Sequence, residues 1–371
     1  MKLRFQKDAI VNGINIVMKA VPSKTTMSIL ECILIDASTG EIKLTGNDME
    51  LGIETKVEGE ILEHGKIALD AKLFSEITRR LSSENASVTI ESDDKFTTTI
   101  SCENSVFNIQ GRDGEEFAYL PYIEKDKYIC LSQFTLKEVI QQTIFSISPN
   151  DSNKMMAGEL FEVNENQLKV VSLDGHRISI RKVRLKDHYD DTKVIVPGKT
   201  LSEISKILGG DNEKEVLIYF SANHILFEFD STVVVSRLIE GEYFRINQML
   251  SSDYETKIKM NKRELLDCID RATLLVKEGD KKPVIIDVKD GSMQLKMNST
   301  VGSMDEDIDI EKEGKDLKIG FNPKFLIDAL RVIEDEEILI YMVNPKAPCF
   351  IKDEKESYIY MILPVNFINV E

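Results

Sequence analysis

Two short stretches of the sequence carry residues that could do chemistry. In the segment VVSLDGHRISI, Asp174 and His176 could form a carboxylate–imidazole pair for general acid–base catalysis. On a strand the two side chains would alternate onto the same face. No serine or cysteine nucleophile in a matching motif accompanies them, and no carboxylate cluster suggests a metal ion. A hydrolase using this pair is therefore the weaker hypothesis, and we expect no catalytic residue, cofactor or metal.

The second stretch is VPGKTLSEISKIL, which contains Gly198-Lys199-Thr200, the end of a phosphate-binding loop. The complete motif needs a glycine five positions before Gly198, so that backbone N–H groups can surround the phosphates. Lys193 occupies that position. A nucleotide site is therefore disfavoured, and the segment needs a structural explanation.

Internal repetition supplies that explanation. The stretches IALDAKLFSEITRRL, VIVPGKTLSEISKIL and IGFNPKFLIDALRVI each combine a short apolar strand, a turn, a lysine and an amphipathic helix. Their charges recur at positions i, i+4 and i+7, on one helical face. These positions are Lys72, Glu76 and Arg79, then Lys199, Glu203 and Lys206, then Lys324, Asp328 and Arg331. The GKT segment is thus a strand-to-helix connection.

A second helix recurs upstream in each repeat, in QKDAIVNGINIVMKAV, TLKEVIQQTIFSIS and NKRELLDCIDRATLLV, and alternating strands follow each copy. Turn signals such as DASTGE and KDGS between the strands indicate antiparallel hairpins. The sequence predicts an α+β fold of three similar domains, each with two helices packed on antiparallel sheets. We expect the domains at residues 1–127, 128–253 and 254–371.

Composition narrows the functional classes. The five cysteines are scattered without a CxxC pair, which disfavours a zinc site or a disulfide framework. The N-terminus lacks the apolar region of a signal peptide, and no apolar run reaches the roughly 18 residues of a membrane helix. We therefore expect a cytoplasmic protein that does not enter a membrane.

The distribution of charge is more informative than the net charge of −17. The six predicted helices carry a formal charge of +5, which leaves −22 on the remainder. A surface lined by these helices would attract phosphates while the other surfaces repel them. Twelve helices of roughly 10 Å width, from two chains, could surround a hole of about 28 Å, wide enough for duplex DNA. The expected DNA-facing residues on the helices are Lys72, Arg79, Arg80, Lys199, Lys206, Lys324 and Arg331.

Four further segments carry a resemblance to a known family. They are LTGNDMELGIET, VVSLDGHRISI, RLIEGEYFRINQML and the C-terminal YIYMILPVNF. With the threefold repeat, they resemble the DNA polymerase III beta subunit, the bacterial sliding clamp family, over essentially the whole chain. The resemblance implies a non-catalytic processivity factor, built as a head-to-tail homodimeric ring around duplex DNA. It also implies binding of the polymerase III alpha subunit, the clamp loader, other DNA polymerases and repair proteins.

In this family the partners dock through short hydrophobic peptides. The matching positions of the partner-peptide pocket here are Met156, Leu173, Gly175, His176, Arg177, Ile178, Phe244, Met249, Met361, Leu363, Pro364 and Val365. Phe244 stands where the family often has proline, and Asn366 replaces an arginine that usually follows the proline. Residues Ile368 to Glu371 extend the chain beyond the usual end.

The resemblance adds positions for DNA contact and for ring closure. Lys24 and Asn150 lie in loops that match DNA-contacting loops of the family. The matching dimer interface has Phe107 and Ile109 on one side, with Leu274 and Leu275 on the other. A structural oligomer without a nucleic-acid role is a third hypothesis, which the charge on the helices disfavours.

Overall fold

The computed structural model describes residues 1–81, 86–148, 153–250, 253–277 and 282–367. Asn150 and the extension at residues 368–371 lie outside this part of the chain. Contacts divide the chain into two compact units. Unit 1 comprises Met1–Lys137 with Lys199–Leu238, and unit 2 comprises Glu138–Gly198 with Ile239–Glu371.

Within the described residues the chain forms six α-helices and 25 β-strands, in an order that repeats three times. The first repeat contains β1 (Lys2–Gln6), α1 (Lys7–Val17), β2 (Cys32–Asp36), β3 (Ile42–Asn47), β4 (Leu51–Val57), β5 (Glu60–Glu63), β6 (Lys66–Asp70), α2 (Ala71–Arg80), β7 (Ser87–Ser92), β8 (Thr97–Cys102), β9 (Ser105–Gln110) and β10 (Arg112–Asp113). The second contains β11 (Tyr128–Ser132), α3 (Gln133–Thr143), β12 (Gly158–Leu173), β13 (Arg177–Pro197), α4 (Gly198–Ile207), β14 (Glu215–Phe220), β15 (His224–Phe229) and β16 (Thr232–Arg237). The third contains β17 (Thr256–Asn261), α5 (Lys262–Thr273), β18 (Val284–Lys289), β19 (Ser292–Asn298), β20 (Ser303–Asp309), β21 (Glu311–Gly314), β22 (Leu317–Phe321), α6 (Pro323–Val332), β23 (Glu337–Met342), β24 (Cys349–Lys352) and β25 (Tyr358–Ile362).

The strands form two sheets in each unit, and all their pairings are antiparallel. Unit 1 has the five-stranded sheet β5-β1-β7-β8-β9 and the nine-stranded sheet β10-β6-β2-β3-β4-β16-β15-β14-β11. Unit 2 has the seven-stranded sheet β12-β13-β25-β24-β23-β17-β21 and the four-stranded sheet β20-β19-β18-β22. The predicted α+β fold with antiparallel hairpins is therefore confirmed.

The largest sheet of each unit joins strands from two repeats. In unit 1, β4 of the first repeat pairs with β16 of the second, with Thr55 opposite Thr232. In unit 2, β13 of the second repeat pairs with β25 of the third, with Ile178 opposite Met361. Backbone hydrogen bonding across these junctions makes consecutive repeats continuous.

The helices form where the sequence predicts them, and α2, α5 and α6 each begin at a residue whose side chain caps the first turn. The carboxylate of Asp70 accepts from the N–H of Leu73 at the start of α2, at 2.8 Å. Asn322 caps α6 in the same way, next to Pro323 in its first turn. β13 ends at Pro197 and α4 begins at Gly198, so the interpretation of GKT as a strand-to-helix connection is confirmed.

Gly198 has a packing reason. A Cβ atom there would lie 2.4 Å from Cδ1 of Ile147 and 3.0 Å from the carbonyl oxygen of Ala157. Only glycine lets the strand turn into the helix at this distance. The glycine of the GKT segment therefore serves close packing.

A lysine ties the two helices of every repeat together. Lys7 donates from Nζ to the carbonyl of Leu81 just beyond α2, at 2.6 Å. Lys137 donates to the carbonyl of Leu208 beyond α4, at 3.0 Å, and Lys262 donates to the carbonyl of Ile333 beyond α6. A cation at a helix C-terminus satisfies a carbonyl that has no partner in the helix and complements the helix dipole.

Candidate functional site

An apolar patch in unit 2 lies where β12, β13 and β25 meet. Leu173 at the end of β12 is opposite Ile178 in β13, which is opposite Met361 in β25. These three side chains are buried and form the floor of the patch. Strand register brings them together although 188 positions separate Leu173 from Met361 in the sequence.

Partly buried side chains cover this floor. Those packed against it include Met155, Met156, Phe244, Leu250 and Leu363. Together with Leu173, Ile178 and Met361, these residues define the apolar patch. Met249 lies in the same loop as Phe244 and is 49% exposed to solvent.

Aromatic packing holds the loop of Phe244 in place. The Phe244 ring contacts Tyr243 edge to face, with centroids 5.8 Å apart. Burial raises the pKa of Tyr243, so its hydroxyl stays protonated and donates to the carbonyl of Val171 at 3.2 Å. The patch thus combines a fixed aromatic loop with flexible methionines, which can adapt to different apolar ligands.

The turn beside the patch does not have the geometry expected of a catalytic pair. Asp174 and His176 lie in the connection between β12 and β13, so their predicted alternation on a strand is wrong. Gly175 between them has φ +87°, which accounts for glycine at this position. The Asp174 carboxylate accepts from the backbone N–H groups of His176 and Arg177, at 2.9 and 3.1 Å. Asp174 therefore closes the turn and leaves the His176 ring to other contacts.

Those contacts lie on the third repeat. The His176 ring stacks against Phe325 in α6, with centroids 6.1 Å apart and an interplanar angle of 23°. The His176 carbonyl accepts from the N–H of Leu363 at 2.9 Å. Among the described residues, no group of three or more His, Cys, Asp or Glu side chains could hold a metal ion.

The expected DNA-facing residues in the described part of the chain are exposed, and they differ in how their charge is balanced. Lys24, Lys72 and Lys324 make no ion pair in the part of the chain that is described. The remaining cations have carboxylate neighbours: Arg79 and Arg80 pair with Glu76, Lys199 with Asp48, Lys206 with Glu203, and Arg331 with Asp270. The three unpaired lysines therefore offer the least compensated positive charge.

Within the described ranges, each of the four sheets ends on strands that lack a neighbour on one side, and two of these edge strands match the expected dimer interface. β9 ends the five-stranded sheet of unit 1, and β20 ends the four-stranded sheet of unit 2. On β9, Val106 is 61% exposed and Phe107 39% exposed, while Ile109 is half-buried. Beyond α5, Leu274 is 81% exposed and Leu275 packs against the core. Open edges with apolar side chains are candidates for pairing with another chain.

Comparison with known proteins bears on all these features. Three family models match the chain: the N-terminal domain of the DNA polymerase III beta subunit at residues 1–121, its central domain at 130–244 and its C-terminal domain at 247–366. The chain belongs to the DNA polymerase III beta subunit family.

Relatives and solved structures agree over the full length. The beta sliding clamp of Staphylococcus aureus is 33% identical, covering 98% of this chain and 99% of the relative. A crystal structure of a putative DNA polymerase III beta subunit from Eubacterium rectale is 66% identical, with a TM-score of 0.96, over 99% of this chain and 100% of that one. The sliding clamp of Bacillus subtilis is 34% identical, with a TM-score of 0.95 and the same coverage. The predicted function is confirmed: the chain is a DNA sliding clamp for the replicative polymerase, and it is a non-catalytic subunit.

Family membership gives the apolar patch and its turn a context. The structure brings Met156, Leu173, Ile178, Phe244, Met361 and Leu363 into one cluster, with His176 on the adjoining turn. Val365 lies further along the chain, where its N–H bonds the carbonyl of Gly320. Pro364, between Leu363 and Val365, is half-buried.

Sequence reasoning missed three residues around the patch. Met155 packs into it, and a Cβ atom on Gly241 would lie 2.0 Å from its Cε. Its neighbour Met156 was the available signal. Phe325 and Asp328 reach the turn from α6. They differ in type from their counterparts in the other repeats, Leu73 and Glu76, and Thr200 and Glu203, but that difference does not indicate which distant residue they contact. Among the described helices, none is long and apolar enough to span a membrane.

Proposed function

We propose that two copies of this chain join head to tail into a closed ring that encircles duplex DNA without reading its sequence. The proposal rests on two edge strands, β9 and β20, each of which lacks a neighbour on one side in the part of the chain that is described. β4 is the third strand after α1, and it pairs with β16, the third strand after α4. By the same rule β20, the third strand after α5, should pair with β9, the third strand after α2.

Within the chain β20 and β9 do not pair, so a second copy would supply the missing partner. The contact is heterologous, and it closes only if the rotation between subunits fits a ring. The exposed Val106, Phe107 and Leu274, with Ile109 and Leu275 beside them, would then be buried in two identical interfaces. Removing such apolar surface from water favours association.

The basic helix faces suit the DNA side of such a ring. Lys72 and Lys324 lie in the first turns of α2 and α6 and lack carboxylate partners among the described residues, and Lys24 adds a third such charge. Lysine contacts to phosphates position a protein on DNA and carry no sequence information. We assign Asn150 to the same surface from its place in the sequence alone.

We also propose that the apolar patch binds short hydrophobic segments of the polymerase III alpha subunit, the clamp loader, other polymerases and repair proteins. Its half-buried methionines, apolar floor and adjoining polar turn suit an extended apolar peptide. The sliding clamp of Pseudomonas aeruginosa, 22% identical to this chain, has been solved bound to griselimycin. We propose that griselimycin binds this chain at the apolar patch. The remaining expectations, three domains divided near Lys127 and Asp253 and a cytoplasmic location, belong to the same proposal.

Retention on DNA tests the ring. The protein is loaded onto a circular and a linear duplex of equal length by a clamp loader with ATP, at moderate salt. Retention on the circle, lost when the circle is cut, is the expected result. Equal retention on both substrates would mean surface binding and would refute encirclement.

A histidine variant tests the patch. His176→Ala should weaken binding of griselimycin and of the polymerase III alpha subunit, because it removes the ring that stacks on Phe325. The dimer mass should not change, since His176 lies on a turn of the seven-stranded sheet, whereas β9 and β20 belong to other sheets. His188→Ala, an exposed histidine on β13, is the matched control. Loss of the dimer in His176→Ala, or unchanged affinity for both ligands, would refute the assignment.

A further inference from the structure

The acidic residue of the repeated helix behaves differently in the third repeat. Glu76 in α2 pairs with Arg79 and Arg80 on its own helix, at 2.8 and 2.7 Å. Glu203 in α4 pairs with Lys206, also on its own helix, at 2.7 Å. In these two repeats the acid only balances charge on an exposed helix face, an interaction that contributes little to stability.

In α6 the equivalent acidic residue pairs with a residue outside its own helix. Asp328 accepts from Nη1 of Arg177 at 2.7 Å, while Arg331 pairs with Asp270 in α5. Asp328 is one methylene shorter than its counterparts, and 151 positions separate it from Arg177. The third copy of the repeat thus holds the turn that follows β12.

The Arg177 side chain is only 8% exposed, and each of the three guanidinium nitrogens donates a hydrogen bond within the protein. Nε donates to Asp174 at 3.0 Å, Nη1 to Asp328, and Nη2 to the carbonyl of Phe145. The guanidinium carbon also lies 4.5 Å from the centroid of the Phe325 ring. Arg177 therefore points into the protein, where each of its guanidinium nitrogens already has a partner.

Two links join this cluster to the apolar patch. Phe325, which lies over Arg177, also stacks on the His176 ring. The His176 carbonyl receives the N–H of Leu363, a residue of the patch. The position of Arg177 thus determines where the turn places His176 at the edge of the patch.

We propose that Asp328 is a positioning residue for partner binding: through Arg177 it holds His176 and the Asp174–Arg177 turn in the geometry that a partner peptide requires. The inference rests on the proposed function of the apolar patch. A buried guanidinium that loses one of two carboxylates is left poorly compensated, so the turn should relax. Binding sites with a relaxed supporting shell lose affinity because the ligand must then order them.

The test uses the full-length dimer and the near-isosteric variant Asp328→Asn. Its matched control is Glu203→Gln, which neutralises the equivalent acid of the second repeat. The first readout is the His176 Cε1–H resonance in histidine-labelled protein without ligand, assigned by comparison with His176→Ala. Asp328→Asn should move this resonance while those of His64, His188 and His224 stay in place, and Glu203→Gln should move none.

The second readout is the dissociation constant for griselimycin and for the polymerase III alpha subunit. Asp328→Asn should weaken both by about tenfold, as expected when a site loses preorganisation, with dimer mass and circular-DNA retention unchanged. An unmoved His176 resonance would overturn the positioning role, whatever the ligands do. A moved resonance with unchanged affinities would overturn the link to binding. If the unsubstituted protein binds neither ligand, the proposed function of the patch is refuted, and so is the link to binding. The His176 resonance alone then decides whether Asp328 positions the turn.

Discussion

Glu159 is a buried carboxyl group whose protonation should make the stability of the protein depend on pH. It lies in β12, with no exposure to solvent, and its Oε2 is 3.0 Å from the hydroxyl of Thr143. That hydroxyl has one proton, and its shorter contact, 2.7 Å, is to the carbonyl of Val139. The single proton of Thr143 is therefore shared between two acceptors, so it stabilises a negative charge on Glu159 only weakly. Oε1 has no partner among the described residues, which further disfavours a charge.

Burial raises the pKa of Glu159 from 4.5 to about 8. The folded state therefore binds the proton more tightly than the unfolded state. The stabilisation is fully present below pH 4.5 and is lost as pH rises through about 8. At about 1.4 kcal/mol per pH unit, the free energy of unfolding should fall by roughly 3 kcal/mol between pH 5.5 and 7.5. Glu159→Gln should remove this loss, because the amide stays neutral over this pH range and its oxygen can still accept from Thr143.

The assay is urea denaturation of both proteins at half-unit steps from pH 5.5 to 8, followed by circular dichroism. Other titrating groups are common to the two proteins, so the difference in unfolding free energy isolates Glu159. The variant should gain stability relative to the parent as pH rises. Glu162→Gln, on the same strand but solvent-accessible and paired with Lys169, is the control and should show no such trend. A difference between Glu159→Gln and parent that is independent of pH would refute the argument that the buried group is neutral.

Three further predictions follow from the helices and the sheet edges. Lys262→Met should lower the free energy of unfolding by about 1–2 kcal/mol, because the carbonyl at the end of α6 loses its cation. The exposed Lys318→Met is the control in the same urea titration, and equal midpoints for the two variants would contradict the capping role. Replacing Lys72 and Lys324 together by alanine should make retention on circular DNA less dependent on salt, with the log–log slope reduced by about one per lost phosphate contact; an unchanged slope would remove both residues from the DNA surface. Phe107→Asp should yield monomers in sedimentation equilibrium, since a charge would enter the apolar edge of β9, and a persistent dimer would exclude that edge from the interface.

The sequence by itself determined much of the architecture, because the relevant signals are short-range. In each repeated helix a lysine, an acidic residue and a second basic residue recur at fixed spacing, as between Lys72 and Arg79. This spacing specifies an amphipathic helix through interactions within two turns. Alternation and turn residues specify antiparallel hairpins in the same way. Repetition then extends one local solution over the whole chain, which is why the α+β fold and its threefold organisation could be predicted.

Tertiary structure alone decided how the site is supported. The resemblance assigns Arg177 to the partner-peptide pocket, and only the structure shows that its guanidinium contacts Asp174, Asp328 and Phe145. Glu159 looks like an ordinary strand residue until its burial is known. Both outcomes depend on which strands become neighbours, through pairings such as β13 with β25 that link distant parts of the chain. Local patterns specify which face of an element is apolar, but the partner that covers this face is chosen by long-range packing.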